Sequence, residues 1–284
     1  MEERIWQDAY ITAMSSEHPI QFAHHKTVDR PENHVLHINN YIEIYFYVSG
    51  NHRYIVEDSL YQLQRGDMIV INPKEVHKAL PMGETEYERF YFLVDCHAFD
   101  GMSQNPLLPI LQKPQSKGNL ISPDARTRER VIETLYEIGE CLREESGQLK
   151  ALSLFLSILD VVNRHLERDE VSVHTVKQTP SLLKRILVYI DENLADLQST
   201  AEIASAVGIT PQYLSAYFSK YTGTSLKVYI QAKKIALAKL LLDKGEDVTK
   251  ACYDCGFNDC SYFIKVFKKY VGITPLSYKQ GLPR

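Results

Sequence analysis

Nowhere in this 284-residue chain do about twenty apolar residues follow one another, and no apolar run opens it. A membrane-spanning helix and a secretory leader are therefore not expected, and a cytoplasmic location without a membrane partner is. Cysteine is sparse. The five, at positions 96, 141, 252, 255 and 260, are an odd number with no disulfide-framework spacing. No glycine-rich phosphate loop, Ser-His-Asp arrangement or zinc-protease helix is present, so no enzyme class announces itself and no cofactor is expected. An excess of positive charge is missing too: the formal net charge is −4.

That net charge hides an asymmetry. Residues 181–284 carry 14 Lys and Arg against 9 Asp and Glu, a balance of +5, while residues 1–180 carry 18 against 27, a balance of −9. A basic half joined to an acidic half suits a nucleic-acid-binding unit attached to a unit with another task.

The basic half contains one pattern twice, Ser199 to Gly223 and Asp247 to Gly272. In the first copy Ser199 and Glu202 have capping-box spacing, Gly208 can stop the short helix in the left-handed conformation, and Thr210-Pro211 opens the next. Leu214, Phe218 and Tyr221 then share a face at about 3.6-residue spacing. In the second copy Asp247 starts the first helix, Gly256 ends it, Asn258 is the expected cap of the second, and Phe263 and Phe267 point inward. Each copy reads as a helix-turn-helix. Between them Ser225 to Gly245 reads as one continuous helix, which would set two recognition helices about one DNA turn apart.

These residues resemble the double helix-turn-helix of the AraC/XylS family of bacterial transcription regulators. The match is carried by the G-F-x-D-x-S-Y-F run at Gly256 to Phe263, the F-K-K-Y-x-G-I-T-P-x-x-Y run at Phe267 to Tyr278, and A-x-x-L-L in the linking helix. The resemblance implies double-stranded DNA as a partner. Bases would be approached by Gln212, Ser215 and Ala216 in the first unit and by Cys260, Ser261 and Lys265 in the second. Thr210, Tyr213, Lys220 and Lys268 would contact phosphates. Ala216 can offer only apolar contact, for example to a thymine methyl. Cys252-x-x-Cys255 has metal or redox spacing, but the family places small core residues there.

In the acidic half, residues 1–33 read as polar and irregular, with one apolar patch at Ile5, Trp6, Tyr10 and Ile11 that forms an edge of the first domain or a ligand-sensitive arm. From His34 to about Asp95, runs rich in β-branched and aromatic residues read as short strands: Tyr41–Val48, Arg53–Glu57, Ser59–Gln64, Asp67–Ile71 and Tyr87–Val94. A barrel or jelly roll is expected. His37-x-Asn39-x3-Glu43 with Gly50, and Gly66 to Pro73 with His77, resemble the two cupin motifs, with Asn39 where metal-binding cupins have a second histidine. His37, Glu43 and His77 remain as a possible metal set, but AraC-type sensors resemble cupins without metal chemistry, so no metal is expected. Those groups either line an organic-ligand pocket or are structural polar residues. Asn39, Tyr41, Glu43, Tyr45 and Tyr47 share a strand parity and so a face. Carboxylate, amide and flat rings together suit a sugar.

Residues 96–121 read as a loop, with helices from Ser122-Pro123 and from Gln148 to Leu166, the second with an apolar face wide enough for a barrel and a second subunit. The expected fold is thus multidomain α and β. A cupin-like ligand-sensing barrel (1–121) is followed by a helical dimerisation hairpin (122–168), a linker (169–180) and an all-α double helix-turn-helix (181–284). The expected function is a transcriptional regulator, an activator answering to a carbohydrate effector and acting as a homodimer, with RNA polymerase as a possible contact. The competing readings are a ligand-independent regulator with a purely structural barrel and a metal-dependent cupin enzyme fused to a DNA-binding domain.

Overall fold

Alternation of inward and outward side chains builds the N-terminal half. A computed structural model of the chain describes residues 3–12, 20–29, 36–83, 85–114, 118–167, 180–197 and 199–281. Its strands are β1 (Glu3–Ile11), β2 (Ile20–Asp29), β3 (Ile42–Ser49), β4 (His52–Val56), β5 (Ser59–Gln62), β6 (Met68–Ile71), β7 (His77–Pro81), β8 (Thr85–Val94) and β9 (Leu120–Ile121). They form two antiparallel sheets, one in the order β1-β2-β8-β3-β6-β9 and one in the order β5-β4-β7.

Two expectations for this half need correction. Residues 1–33 are not irregular where described: β1 and β2 extend the large sheet, with β2 in unbroken register on β8 from Ile20↔Val94 to Asp29↔Thr85. Of the patch there, Ile11 is buried and Tyr10 is exposed, while the side chains of Ile5 and Trp6 lie outside the description. The 96–121 stretch also holds a short helix, α1 (Leu108–Gln112), and β9, which pairs with β6. Its Lys113 is buried against Glu75 at 3.1 Å, and Asn119 donates to the same carboxylate at 3.0 Å. These contacts fasten the stretch to the barrel.

The large sheet separates two apolar layers. Ile42, Ile44, Phe46, Phe90 and Phe92 face outward onto α2 (Ala125–Cys141) and α3 (Gln148–Glu167), where Leu135, Ile138, Phe155 and Leu159 cover them. Each such buried side chain contributes about 1.5–3 kcal/mol. The N-cap of α2 is Asp124, which accepts from the amides of Arg126 and Thr127, so the helix begins two residues beyond Ser122-Pro123. Residues of opposite parity, Tyr45, Tyr47, Ile69, Ile71 and Tyr87, face the small sheet's Tyr54, Val56 and Ala79 across the barrel interior.

The C-terminal half is helical: α4 (Ser181–Asn193), α5 (Thr200–Val207), α6 (Pro211–Thr222), α7 (Leu226–Asp243), α8 (Val248–Asp254), α9 (Cys260–Val271) and α10 (Pro275–Lys279). Residues 169–179 of the expected linker lie outside the described residues. Thr210, Ser225 and Asp247 cap their helices as expected. Two caps differ. Ser199 makes no capping bond to the backbone and donates instead to Glu202 Oε1 at 2.9 Å. Asp259, not Asn258, caps α9, because its carboxylate reaches the Tyr262 amide at 2.9 Å. Gly256 stands at φ +83°, and a Cβ there would lie 2.2 Å from the Ala195 carbonyl oxygen, so both backbone conformation and space demand glycine.

The two halves are docked on each other. One apolar cluster joins Leu36, Ile38, Ile55, Leu60, Val76 and Leu80 of the barrel to α4 and α7. Glu57, in the β4–β5 turn and fully buried, pairs with Lys233 of α7, which also meets Asp191 of α4 at 2.9 Å. Tyr229 donates to the Glu57 carbonyl at 2.8 Å, Lys78 to the Gly223 carbonyl at 2.7 Å, and Lys74 pairs with Asp243. Losing one member of a buried pair leaves the other charged in a low-dielectric seam. Lys233→Met should therefore cost about 3–5 kcal/mol in chemical unfolding of the full chain, and adding Glu57→Gln to it should recover most of that loss. Equal stability of the single variant and the wild type would show that the seam does not depend on this pair.

Candidate nucleic-acid interface and barrel interior

In α6, Leu214 and Phe218 turn inward and are fully buried, which presents the opposite face to solvent. Thr210, Gln212, Tyr213, Ser215, Ala216 and Lys220 are all exposed there. The Thr210 hydroxyl accepts from the Tyr213 amide at 3.2 Å, and Tyr213 packs on Tyr217 with ring centroids 5.7 Å apart. In α9, Phe263, Val266 and Phe267 are buried while Ser261, Lys265 and Lys268 are exposed and Cys260 is half-buried. The residues expected to touch DNA thus fall on two outward helix faces, and the seam with the barrel leaves both faces uncovered. The sequence placed Tyr262 on the outer face of this helix but gave it no DNA contact. It is exposed on α9, and its hydroxyl accepts from Gln231 of α7, tying the recognition helix to the linking one.

Cys252 and Cys255 do not face this surface. Both are fully buried, and burial pushes each thiol up to about 12, so neither forms a reactive thiolate near neutral pH.

The barrel interior gathers a second group. Glu43 accepts from His77 Nε2 and Asn39 Nδ2, both at 3.1 Å, and from the Tyr54 hydroxyl at 3.4 Å. The His37 and His77 rings lie 4.1 Å apart, with His37 exposed at the edge of the barrel. Burial alone would push the Glu43 carboxyl up, but His77, His37 and Arg89 outweigh it and hold it at about 2. Burial likewise opposes protonation of His77, and the Glu43 carboxylate reverses that, so its pKa is raised. His77 Nδ1 donates to the Glu75 carbonyl at 2.7 Å, which directs Nε2 at Glu43. Tyr45 and Tyr87 share a hydrogen bond between their hydroxyls, and His52 stacks on Tyr87 at 3.8 Å.

Tyr41 is not part of this group. The strand begins at Ile42, and Tyr41 precedes it, 42% exposed, with its amide bonded to Asn39 Oδ1. That bond also fixes the Asn39 amide, whose NH2 end faces Glu43.

His37, Glu43 and His77 offer three possible metal donors within 4.8 Å of one another. Their surroundings do not fit a resident metal. The Glu43 oxygen that would ligate it already accepts from His77 and Asn39, and Asn39 presents N–H groups where a ligand must present a lone pair. The residue that the sequence reading missed is Arg89. It sits on β8, paired across the ladders with Tyr47 and His25, and its parity points it into the interior.

With these two groups in place, the comparisons with known proteins are decisive. The profile of the AraC-like ligand binding domain matches residues 21–158, and that of a helix-turn-helix domain matches residues 203–281. The chain belongs to the AraC family of transcriptional regulators. An uncharacterized HTH-type transcriptional regulator of Bacillus subtilis, YbfI, is 25% identical over 80% of each chain. The HTH-type transcriptional activator RhaR of Yersinia pestis is 24% identical over 89% of this chain and 87% of its own. Among solved structures, ToxT from Vibrio cholerae aligns over 93% of this chain and 98% of its own, with 14% identity and a TM-score of 0.36. This AraC-family chain therefore carries an N-terminal ligand-binding domain and a C-terminal helix-turn-helix domain. Among its described residues no helix is long and apolar enough to cross a membrane.

Two measurements check these groups. Lys265→Ala should weaken binding to a selected duplex by about 1–3 kcal/mol by fluorescence anisotropy, and equal losses on random DNA would make Lys265 a phosphate contact instead. The Glu43–His77 pair stabilises the fold fully between about pH 4.5, the ordinary value for Glu, and about 6.5, the ordinary value for His. Its contribution fades as pH falls toward the Glu43 value of about 2 and as pH rises through the raised His77 value. By NMR, His77 should titrate above an ordinary histidine in the wild type and fall back in Glu43→Gln. An unchanged His77 titration in that variant would refute the pairing.

Proposed function

We propose that this AraC-family regulator senses a small hydroxylated effector of carbohydrate type in its N-terminal barrel and passes the signal to its two helix-turn-helix units through the small sheet. The observation that carries this reading is the double use of that sheet. Tyr54 and Val56 of β4, and Ala79 of β7, belong to the barrel interior. Ile55 and Leu80, the residues between or beside them, belong to the seam with the helices. His77 faces Glu43, and the next residue, Lys78, bonds α6. The segment before β3 alternates in the same way, with Leu36 and Ile38 in the seam and Asn39 on Glu43. A ligand that moves His37, Asn39 or His77 acts on strands whose other face holds α7. Such a ligand shifts DNA binding only so far as it binds the two arrangements unequally.

The unit boundaries that go with this reading are a barrel at 1–121, a helical hairpin at 122–168, a linker at 169–180 and the DNA-binding unit at 181–284. Homodimerisation through α3 is supported by Leu149, 73% exposed, and by Leu154, Leu156 and Val161, which are only partly covered. The chain then acts in the cytoplasm as an activator, with Gln212, Ser215, Ala216, Cys260, Ser261 and Lys265 toward bases and Thr210, Tyr213, Lys220 and Lys268 toward phosphates. An activator of this design presents a surface to RNA polymerase once both units are on DNA.

The test is selection from a random duplex pool with the full chain, followed by melting and DNA affinity with a panel of sugars and metal analysis of the same sample. Enrichment of two half-sites about one helical turn apart, and a sugar that raises Tm and changes DNA affinity, are expected. Enriched DNA with no response to any small molecule would leave a regulator whose barrel is structural. Stoichiometric bound metal would favour the enzyme reading instead.

A further inference from the structure

Arg89 is a guanidinium facing the barrel interior with no carboxylate in contact with it among the described residues; Glu43 acts on it only through space. Its Nε atom is buried and has no hydrogen-bond partner. No ion pair or hydrogen bond to its guanidinium occurs among the described residues. Three tyrosine rings surround it instead, those of Tyr45, Tyr87 and Tyr91, with centroids 5.9, 5.5 and 5.6 Å from its Cζ. Cation–π contact offsets part of the cost of desolvating a charge, but it satisfies none of the five N–H donors.

The nearby carboxylate does not fill that role. Glu43 is committed to His77, Asn39 and Tyr54, as its three hydrogen bonds show. Glu88, the residue before Arg89, has opposite parity and pairs outside the barrel with His24 at 2.9 Å. Glu43 acts on Arg89 only through space, so none of the guanidinium N–H groups receives a carboxylate oxygen from it. A buried charge whose donors lack acceptors is strongly unfavourable, and a carboxylate placed on them would relieve that cost.

From this we infer that Arg89 anchors a carboxylate of the effector, which makes the ligand a monoanionic hydroxy acid of the sugar-acid type, such as a hexuronate, rather than a neutral sugar. The inference rests on the sensor reading above and narrows its ligand. A guanidinium fork matches the two oxygens of a carboxylate in a bidentate contact. The tyrosine rings supply flat apolar faces for the C–H side of a sugar ring, and their hydroxyls, with the Asn39 amide and Glu43, serve its hydroxyl groups. One guanidinium fork matches one carboxylate. A phosphate ester, which is a dianion near neutral pH, would bring a second charge with no cation to meet it.

The experiment is isothermal titration calorimetry on the full chain with matched ligands: glucose, galactose, their uronates, the methyl esters of those uronates and the hexose 6-phosphates. One uronate should bind at least about tenfold more tightly than its methyl ester and its parent hexose, because two charge-assisted hydrogen bonds are lost in each. That comparison uses only the wild-type protein and so does not depend on any variant folding. Arg89→Met should then lose about tenfold or more for the uronate while keeping the weak affinity for the parent hexose, and Arg89→Lys should recover only part of the loss. A hexose that binds as tightly as its uronate, in the wild type and in Arg89→Met alike, would overturn the carboxylate assignment and leave the sugar sensor standing. Tighter binding of a phosphate ester would overturn it in favour of a dianion. No binding by any of these ligands would overturn both readings.

Discussion

A buried charge in the seam between the two halves is the constraint on which the rest depends. Glu57 is fully enclosed, its own burial pushes its carboxyl up, and Lys233, the Val76 backbone and the Tyr229 hydroxyl are what keep the position tolerable. The Glu57 carboxylate accepts from the Val76 amide at 2.7 Å, its amide donates to the Val76 carbonyl at 2.8 Å, and its carbonyl accepts from Tyr229. One residue therefore joins the β4–β5 turn, the start of β7 and the middle of α7. The relative placement of barrel and DNA-binding helices is set by a directional polar contact and not by apolar burial alone. Apolar surfaces can slide past each other with little change in energy, whereas a paired buried charge holds one register.

The small sheet makes that register matter. In a strand, neighbouring residues point to opposite faces, so three strands serve two different cores with no linking element between them. On one face lies the aromatic interior of Tyr45, Tyr54 and Tyr87; on the other lies the cluster containing Leu187, Tyr229 and Ile235. The charges follow the same division. His77 and Glu43 belong inside, and Lys78 belongs outside, one peptide unit away. One sheet thus borders the barrel interior on one face and the docked helices on the other.

The DNA-binding half was legible in the sequence because its signals are local. Thr210-Pro211, Gly208, Ser225 and Asp247 each act within one helical turn, and the structure places helix ends at them. Cap identity blurred where two polar residues stood side by side, as at Asn258 and Asp259. The barrel was legible where strands alternate cleanly, from Ile42 to Ile71. It failed at β2, because Gln21, His24, His25 and Lys26 break the apolar rhythm while His24 is nonetheless buried against Glu88. The seam was not legible at all. Lys233, Lys234 and Lys239 look like solvent positions on a helix, yet all three are buried, at 8, 7 and 2% exposure, because their partners come from distant segments. Arg89 escaped notice for the same reason: its meaning lies in the rings around it, which only the sheet brings together.

The outer face of the small sheet and the segments beside it carry Leu36, Ile38, Ile55, Leu60, Val76 and Leu80, all nearly inaccessible in the docked chain. Parting the two halves would bare these six side chains to water together, at about 25 cal/mol per Å² of apolar area. A tilt or short slide of α7 across the sheet would keep them covered, at the cost of the Glu57 contacts to Lys233 and Tyr229. A rearrangement that kept this face covered would be of the shear kind, a small displacement of packed layers rather than a hinge swinging open. Both recognition helices pack on α7, so such a displacement would carry α6 and α9 together and leave the distance between them unchanged.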